Sequence, residues 1–242
     1  MTSLLSAFGL YLLLNFLIVK LRNVVLIIAS IIIADQVLKI WIKTSYPFGH
    51  VTDVMGLKWF KLYFIENEGM AWGWKFGGEW GKMILTLFRL GAVIFGTWYL
   101  ARIVKNHYHR GFIVCAALIY AGALGNLVDS MFYGLIFSGS DYSTIATIFP
   151  HGGGYAGFLH GRVVDMLYFP LIRSTFPNWL PVWGGENFEF FSPIFNIADA
   201  SISVGVITLL IFQKRFFKKH QQDSNHPVAE TNTKVNDEVQ VL

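Results

Sequence analysis

The sequence predicts an all-α integral membrane protein: a four-helix transmembrane bundle carrying a small extracytoplasmic β-rich cradle and a long outer loop insertion. Of its 242 residues 54% are hydrophobic and only 14% are charged, where a soluble domain carries about 25%. Four stretches supply the roughly 20 apolar residues that a span needs: 24–42, 83–104, 111–133 and 197–217. The third observation is LKWFKLYFI at 57–65, followed by Gly69, Gly73, Gly77 and Gly78, which reads as one or two short strands and a turn at the membrane surface.

The net charge of +4 is too small and too scattered for a nucleic-acid partner, which needs a basic face or stripe. A single cysteine, Cys115, excludes an internal disulfide framework and CxxC-type metal sites. It lies among Ile113, Val114, Ala116 and Ala117 and reads as a buried, inert thiol. The histidine spacings fit no metal site, and the residues imply no cofactor.

Basic clusters precede the first span (Lys20, Arg22), separate the second and third (Arg102, Lys105, Arg110) and follow the fourth (Lys214, Arg215, Lys218, Lys219). By the positive-inside rule all three are cytoplasmic, so both ends of the 24–217 core are inside and segments 43–82 and 134–196 lie outside. Lys43, Lys58, Lys61 and Lys75 in the first outer segment weaken that contrast without reversing it. Tryptophans 59, 72, 74, 80, 179 and 183 suit an interfacial belt. The insertion at 134–160, rich in Gly and Ser, is expected to pack as a lid or collar. Residues 1–23 form an N-terminal extension whose apolar run, 4–19, is either an extra helix, an interfacial segment or an upstream extension. Residues 218–242 read as a disordered cytoplasmic tail.

Charged residues within spans are costly and mark functional sites. Asp35 lies eleven residues beyond Val24 in an outward-running helix, about 17 Å from the inner face at about 1.5 Å per residue. Asn126 and Asp129 lie in the last turns of the third span and Asp199 in the first turn of the fourth. The orientation therefore brings Asp35, Lys39, Asn126, Asp129 and Asp199 to one outer-leaflet layer. Asp35 and Lys39 are four apart, acid first, and can pair on one face. Asn126 with Asp129, and Asn196 with Asp199, share faces at a spacing of three. Gly122, Ala123 and Gly125 would admit a second backbone closely. Asp165 sits in the apolar segment GRVVDM, where an unpartnered acid is expensive.

Five blocks in this order, ADQVLK (34–39), ENEGMAW (66–72), GALGNLVD (122–129), GRVVDM (161–166) and FNIADASI (195–202), give the chain a resemblance to the lipoprotein signal peptidases (signal peptidase II), intramembrane aspartyl proteases, over about residues 24–217. The resemblance implies that Asp165 and Asp199 are the catalytic dyad. It also implies supporting or substrate-binding roles for Asp35, Lys39, Asn67, Gly69, Asn126, Asp129 and Asn196. The implied substrate is a diacylglyceryl-modified prolipoprotein, cut on the amino side of its lipidated cysteine at the bacterial inner membrane by a monomer in contact with lipid. Two departures stand out. Ser130 occupies the place of the family's usual arginine after the GNxxD aspartate, leaving its task to Arg162 or to nothing, and Leu38 replaces the usual serine before the lysine. The segment between Asp129 and Asp165 is also much longer than in compact family members.

Other readings use the same residues. Asp35 and Lys39 alone could be a structural ion pair, Asp129 a cross-helix support and Asn67 with Gly69 merely a turn. A serine-lysine protease would use Lys39 as base, but lacks a neighbouring serine. A non-enzymatic proton or ion pathway would extend acids through the bilayer, whereas these collect in its outer half. A lipid-binding assembly protein would need a groove but no paired acids.

Overall fold

The computed structural model describes residues 21–68, 78–170, 172–190 and 193–223. Among the described residues four helices are long and apolar enough to cross a membrane: α1 (Leu21–Ser45), α2 (Gly78–Lys105), α3 (Arg110–Val128) and α5 (Ile197–Asp223), the third span being completed by a π-helical turn (Asp129–Tyr133) and a short α4 (Gly134–Ile136). Ile33, Val37, Phe88, Ile94 and Ile211 are exposed on the outside of this bundle, as expected for helices whose surroundings are hydrocarbon. The helix α5 continues to Asp223, past the apolar run that ends at Phe217. The apolar run at 4–19, Trp72, Trp74 and Gly69 lie outside the described residues.

The segments between the first and second and between the third and fourth spans build an antiparallel four-stranded sheet, ordered β1 (Val51–Val54), β2 (Leu57–Asn67), β3 (Val163–Tyr168) and β6 (Ile194–Phe195); β4 (Ile172–Thr175) and β5 (Asn187–Phe190) form a separate hairpin. The turn between β1 and β2 places Met55 at φ 51° and Gly56 at φ 76°, the doubly positive geometry that matches strand twist in a tight hairpin. Strand β3 lies between β2 and β6, with Asp165 opposite Ile65 and Leu167 opposite Phe195.

Two apolar clusters bracket the middle of the bundle. One joins Val24, Leu100, Ile103, Phe112, Ile113, Cys115 and Phe216; the other joins Ile42, Phe64, Tyr133, Phe137, Val164 and Met166. Along α1 the order is Val24, then buried Asp35 and Lys39, then Ile42; along the third span it is Phe112, then Asn126 and Asp129, then Tyr133. A polar layer is thus sealed between two hydrophobic ones. A chain of carboxylates crossing the bilayer, which a proton or ion pathway needs, has no counterpart among the described residues.

Helix α3 packs most extensively against α5, and the predicted small residues explain the close approach. A Cβ on Gly122 would lie 2.2 Å from the Ala198 carbonyl oxygen, and one on Gly125 would lie 3.0 Å from Asp35 Oδ2. Ser201 Oγ also donates to the Leu118 carbonyl at 2.8 Å.

The third span, expected as an uninterrupted helix, instead widens at Asp129–Tyr133. A π turn frees backbone carbonyls from the regular ladder, and in an apolar setting these must find donors. The long insertion supplies them. Gly161 N donates to Ser130 O (2.9 Å), Leu159 N to Met131 O (3.3 Å) and Ala156 N to Gly134 O (3.0 Å).

Candidate active site

Lys39 is the hub of the polar layer. Its ammonium meets Asp35 Oδ2 at 2.7 Å, Asp129 Oδ2 at 2.8 Å and Asn126 Oδ1 at 2.9 Å. All three residues and Lys39 itself are buried. An ammonium has three N–H donors and no acceptor, so Lys39 is committed as a structural cation, which removes the serine-lysine reading. Asp35 does more than pair with it. Its Oδ1 accepts from Ala198 N at 2.9 Å, capping the start of α5, where an anion meets the unsatisfied N–H groups and the helix dipole.

Asp129, at the entry to the π turn, also accepts from Gln36 Nε2 at 2.8 Å, and Gln36 in turn accepts from Tyr133 OH at 3.1 Å. Gln36 was not among the predicted site residues. Its signal was present, since it shares a helix face with Lys39 and Lys43 at spacings of three and seven.

The two predicted dyad members come from different elements. Strand β3 alternates, so Val164 and Met166 enter the outer apolar cluster while Asp165 leaves the opposite face. Asp199 stands in the first turn of α5, half-buried, whereas Asp165 is 3% exposed. Two amides join them. Asn196 Nδ2 donates to Asp165 Oδ1 at 2.7 Å and to Asn126 Oδ1 at 3.1 Å, while Asn126 Nδ2 donates to Asp199 Oδ1 at 2.7 Å. The Asp199 backbone N–H returns to Asn196 Oδ1 at 2.8 Å, closing the helix start. Asn67, at the end of β2, adds a side-chain hydrogen bond to Asp165.

Burial first, and then the neighbouring charge of Asp199, push the Asp165 carboxyl up to about 7, against the pull of Lys39, Asn196 and Asn67. The structure therefore gathers Asp165, Asp199, Asn126, Asn196, Asn67, Asp129, Lys39 and Asp35 into one connected site; Gly69 lies outside the described residues.

Arg162 is not the cation of this site. It pairs with Glu66 Oε2 at 3.3 Å and lies over the Tyr155 ring. Glu66 also binds Lys43 and accepts from Ser140 Oγ at 2.9 Å, so a second buried cluster ties the insertion to α1 and β2. Lys43 was counted in sequence among the outer cations, but it belongs to α1 and is fully buried.

A family model described as Signal peptidase (SPase) II matches residues 27–215. The chain belongs to the signal peptidase II family. It is 49% identical over 195 residues to a lipoprotein signal peptidase of Porphyromonas gingivalis (strain ATCC 33277), covering 80% of this chain and 84% of that protein. It is 33% identical over 186 residues to a lipoprotein signal peptidase of Amoebophilus asiaticus (strain 5a2), covering 76% and 74%. A solved bacterial membrane enzyme aligns at 26% identity and a TM-score of 0.49, covering 80% of this chain and 93% of that one. Membership makes the chain a bacterial membrane protease, and its four apolar helices agree with that.

Proposed function

We propose that this signal peptidase II family member removes signal peptides from diacylglyceryl-modified prolipoproteins, hydrolysing the bond on the amino side of the lipidated cysteine, with Asp165 and Asp199 as the catalytic residues. The observation that carries the mechanism is the amide bridge: Asn196 holds Asp165 and Asn126 holds Asp199, with each amide bonded to the other.

Two neighbouring carboxylates do not both ionise cheaply. Asp165 is the drier one and retains the proton; Asp199, half-buried, is the ionised partner open to water. Asp199 takes a proton from a water as its oxygen attacks the scissile carbonyl, and Asp165 donates its proton to the carbonyl oxygen. The resulting gem-diol collapses as Asp199 passes its proton to the departing amine and a diol hydroxyl returns one to Asp165. The C–N bond breaks, one water is consumed, and both aspartates regain their starting states. No acyl-enzyme forms. Asn67, Asn126 and Asn196 both donate and accept, which suits them to peptide backbone that lipid leaves unsatisfied.

The basic clusters at Lys20 and Arg22, Arg102 to Arg110, and Lys214 to Lys219 support a cytoplasmic location for both ends of the core. The site then lies near the outer leaflet of the cytoplasmic membrane, with the β1-β2-β3-β6 sheet as its extracytoplasmic cradle and the 134–160 insertion as a collar over the π turn. The substrate's acyl chains lie against apolar helix faces, and one copy of the chain contains the whole site. Purified protein in liposomes, given lipidated and unlipidated precursor, tests the reading by mass spectrometry. A product beginning at the diacylglyceryl cysteine, formed only from the lipidated precursor, is expected; cleavage elsewhere or equal cleavage of both precursors contradicts it.

A further inference from the structure

Arg89 is a further charged group within a spanning helix, where charge comes at a cost. It lies on α2, which contributes none of the predicted site residues. Its Nη1 donates to the buried Ser130 Oγ at 2.9 Å, and that hydroxyl donates onward to the Asn126 carbonyl at 2.9 Å. Asn126 is the residue whose amide holds Asp199. One turn closer to the outer surface, Thr86 Oγ1 donates to the Leu159 carbonyl at 3.0 Å, while Leu159 N binds the π turn. Thr86 and Arg89 together therefore fasten α2 to the widened end of the third span.

The electrostatics point the same way. Burial acts most strongly on the Arg89 guanidinium, and the carboxylates that offset it are Asp199 first, then Asp129 and Asp165. Lys39 already faces Asp35, Asp129 and Asn126 at hydrogen-bond distance, and Arg162 is held by Glu66.

We propose that Arg89 is a positioning residue for the dyad: through Ser130 and Asn126 it orients Asp199, so that α2 provides the cation absent from position 130. A guanidinium suits this task because it stays charged and offers a rigid fork of donors. The inference rests on the aspartyl reading above. The charged groups that act on Asp199 are Arg89 from α2 and Asp165 from β3, and its hydrogen-bond partners are Asn126 from the third span and Asn196 at the start of α5.

The test compares Arg89→Gln, Arg89→Lys and the double variant Arg89→Gln/Ser130→Arg in liposomes with lipidated precursor, following kcat and KM. Arg89→Gln is expected to lower kcat about 10- to 100-fold with little change in KM. Arg89→Lys, which keeps the charge but not the fork of donors, should fall between the parent and Arg89→Gln, and the double variant should recover at least about tenfold of the lost rate. An unchanged kcat in Arg89→Gln, or a loss carried by KM alone, overturns the proposal. If Arg89→Gln fails to fold, a folded double variant without measurable cleavage overturns it. Asp199→Asn runs alongside: normal cleavage there defeats the aspartyl reading itself, whereas a dead Asp199→Asn beside a normal Arg89→Gln defeats only this inference.

Discussion

Asn126 and Asn196 bond to each other at 3.1 Å, and each uses its amide nitrogen to hold a different aspartate at 2.7 Å. The separation of Asp165 and Asp199 is therefore set by two planar amides, one on α3 and one immediately before α5. Hydrogen bonds to charged groups contribute about 1.5–3 kcal/mol. Asn196→Ala is expected to lower kcat by about 10- to 150-fold with a smaller change in KM, measured by initial rates of precursor processing. Asn126→Ala should cost more, because Lys39 loses an acceptor as well.

Asp165 gives the site a pH signature. Its carboxyl is raised from an ordinary 3.8 to about 7, so between those values the folded protein keeps a proton that the unfolded chain releases. Stability from this group is complete below about 4 and is lost as pH rises through about 7. Asp165→Asn, which cannot ionise, should match the parent's thermal midpoint near pH 4 and exceed it at pH 8. A difference that does not change with pH contradicts the assignment. In the active protein, kcat/KM should fall above about pH 7 as the proton donor is lost.

Lys39 separates buried from surface electrostatics within one molecule. Removing it leaves Asp35 and Asp129 buried against each other, and breaking such a pair costs about 3–5 kcal/mol. Lys61 pairs with Asp53 at 3.0 Å in a far more exposed setting, where such a pair contributes about 0–1 kcal/mol. Thermal unfolding in detergent should show a large drop for Lys39→Met and almost none for Lys61→Met.

Gly122 tests the close crossing of α3 and α5. A Cβ there meets backbone, the Ala198 carbonyl oxygen at 2.2 Å, so no rotamer change relieves it. Gly122→Ala should destabilise by about 1–3 kcal/mol. It should also impair processing, because Ala198 sits beside Asp199 and is held by Asp35. Ala123→Gly, outside that contact, serves as the comparison in the same thermal and activity assays.

Much of this site was legible because its residues obey helix arithmetic. Asp35 with Lys39, Asn126 with Asp129, Asn196 with Asp199, and the small residues before Asn126 all follow from spacing and depth in the spans. What escaped depends on contacts between distant segments. The π turn at Asp129–Tyr133 has carbonyls satisfied by Leu159 and Gly161 of the distant loop, and nothing local marks it. Lys43 counted as one of several cations of the first outer segment, and only the fold brings it together with Glu66 and Ser140. Arg89 was hidden because its partner, Ser130, reads as the loss of a cation when viewed along the chain. Across the bundle, the same serine is the acceptor for one.

The most direct measurement replaces Asp165 and Asp199 singly with Asn and follows cleavage of a diacylglyceryl-modified precursor by reconstituted protein. Loss of acid-base catalysis predicts a fall of at least about 10²- to 10⁴-fold in kcat for each variant, with the folded state intact by thermal unfolding. Near-normal cleavage by either one contradicts the two-aspartate mechanism.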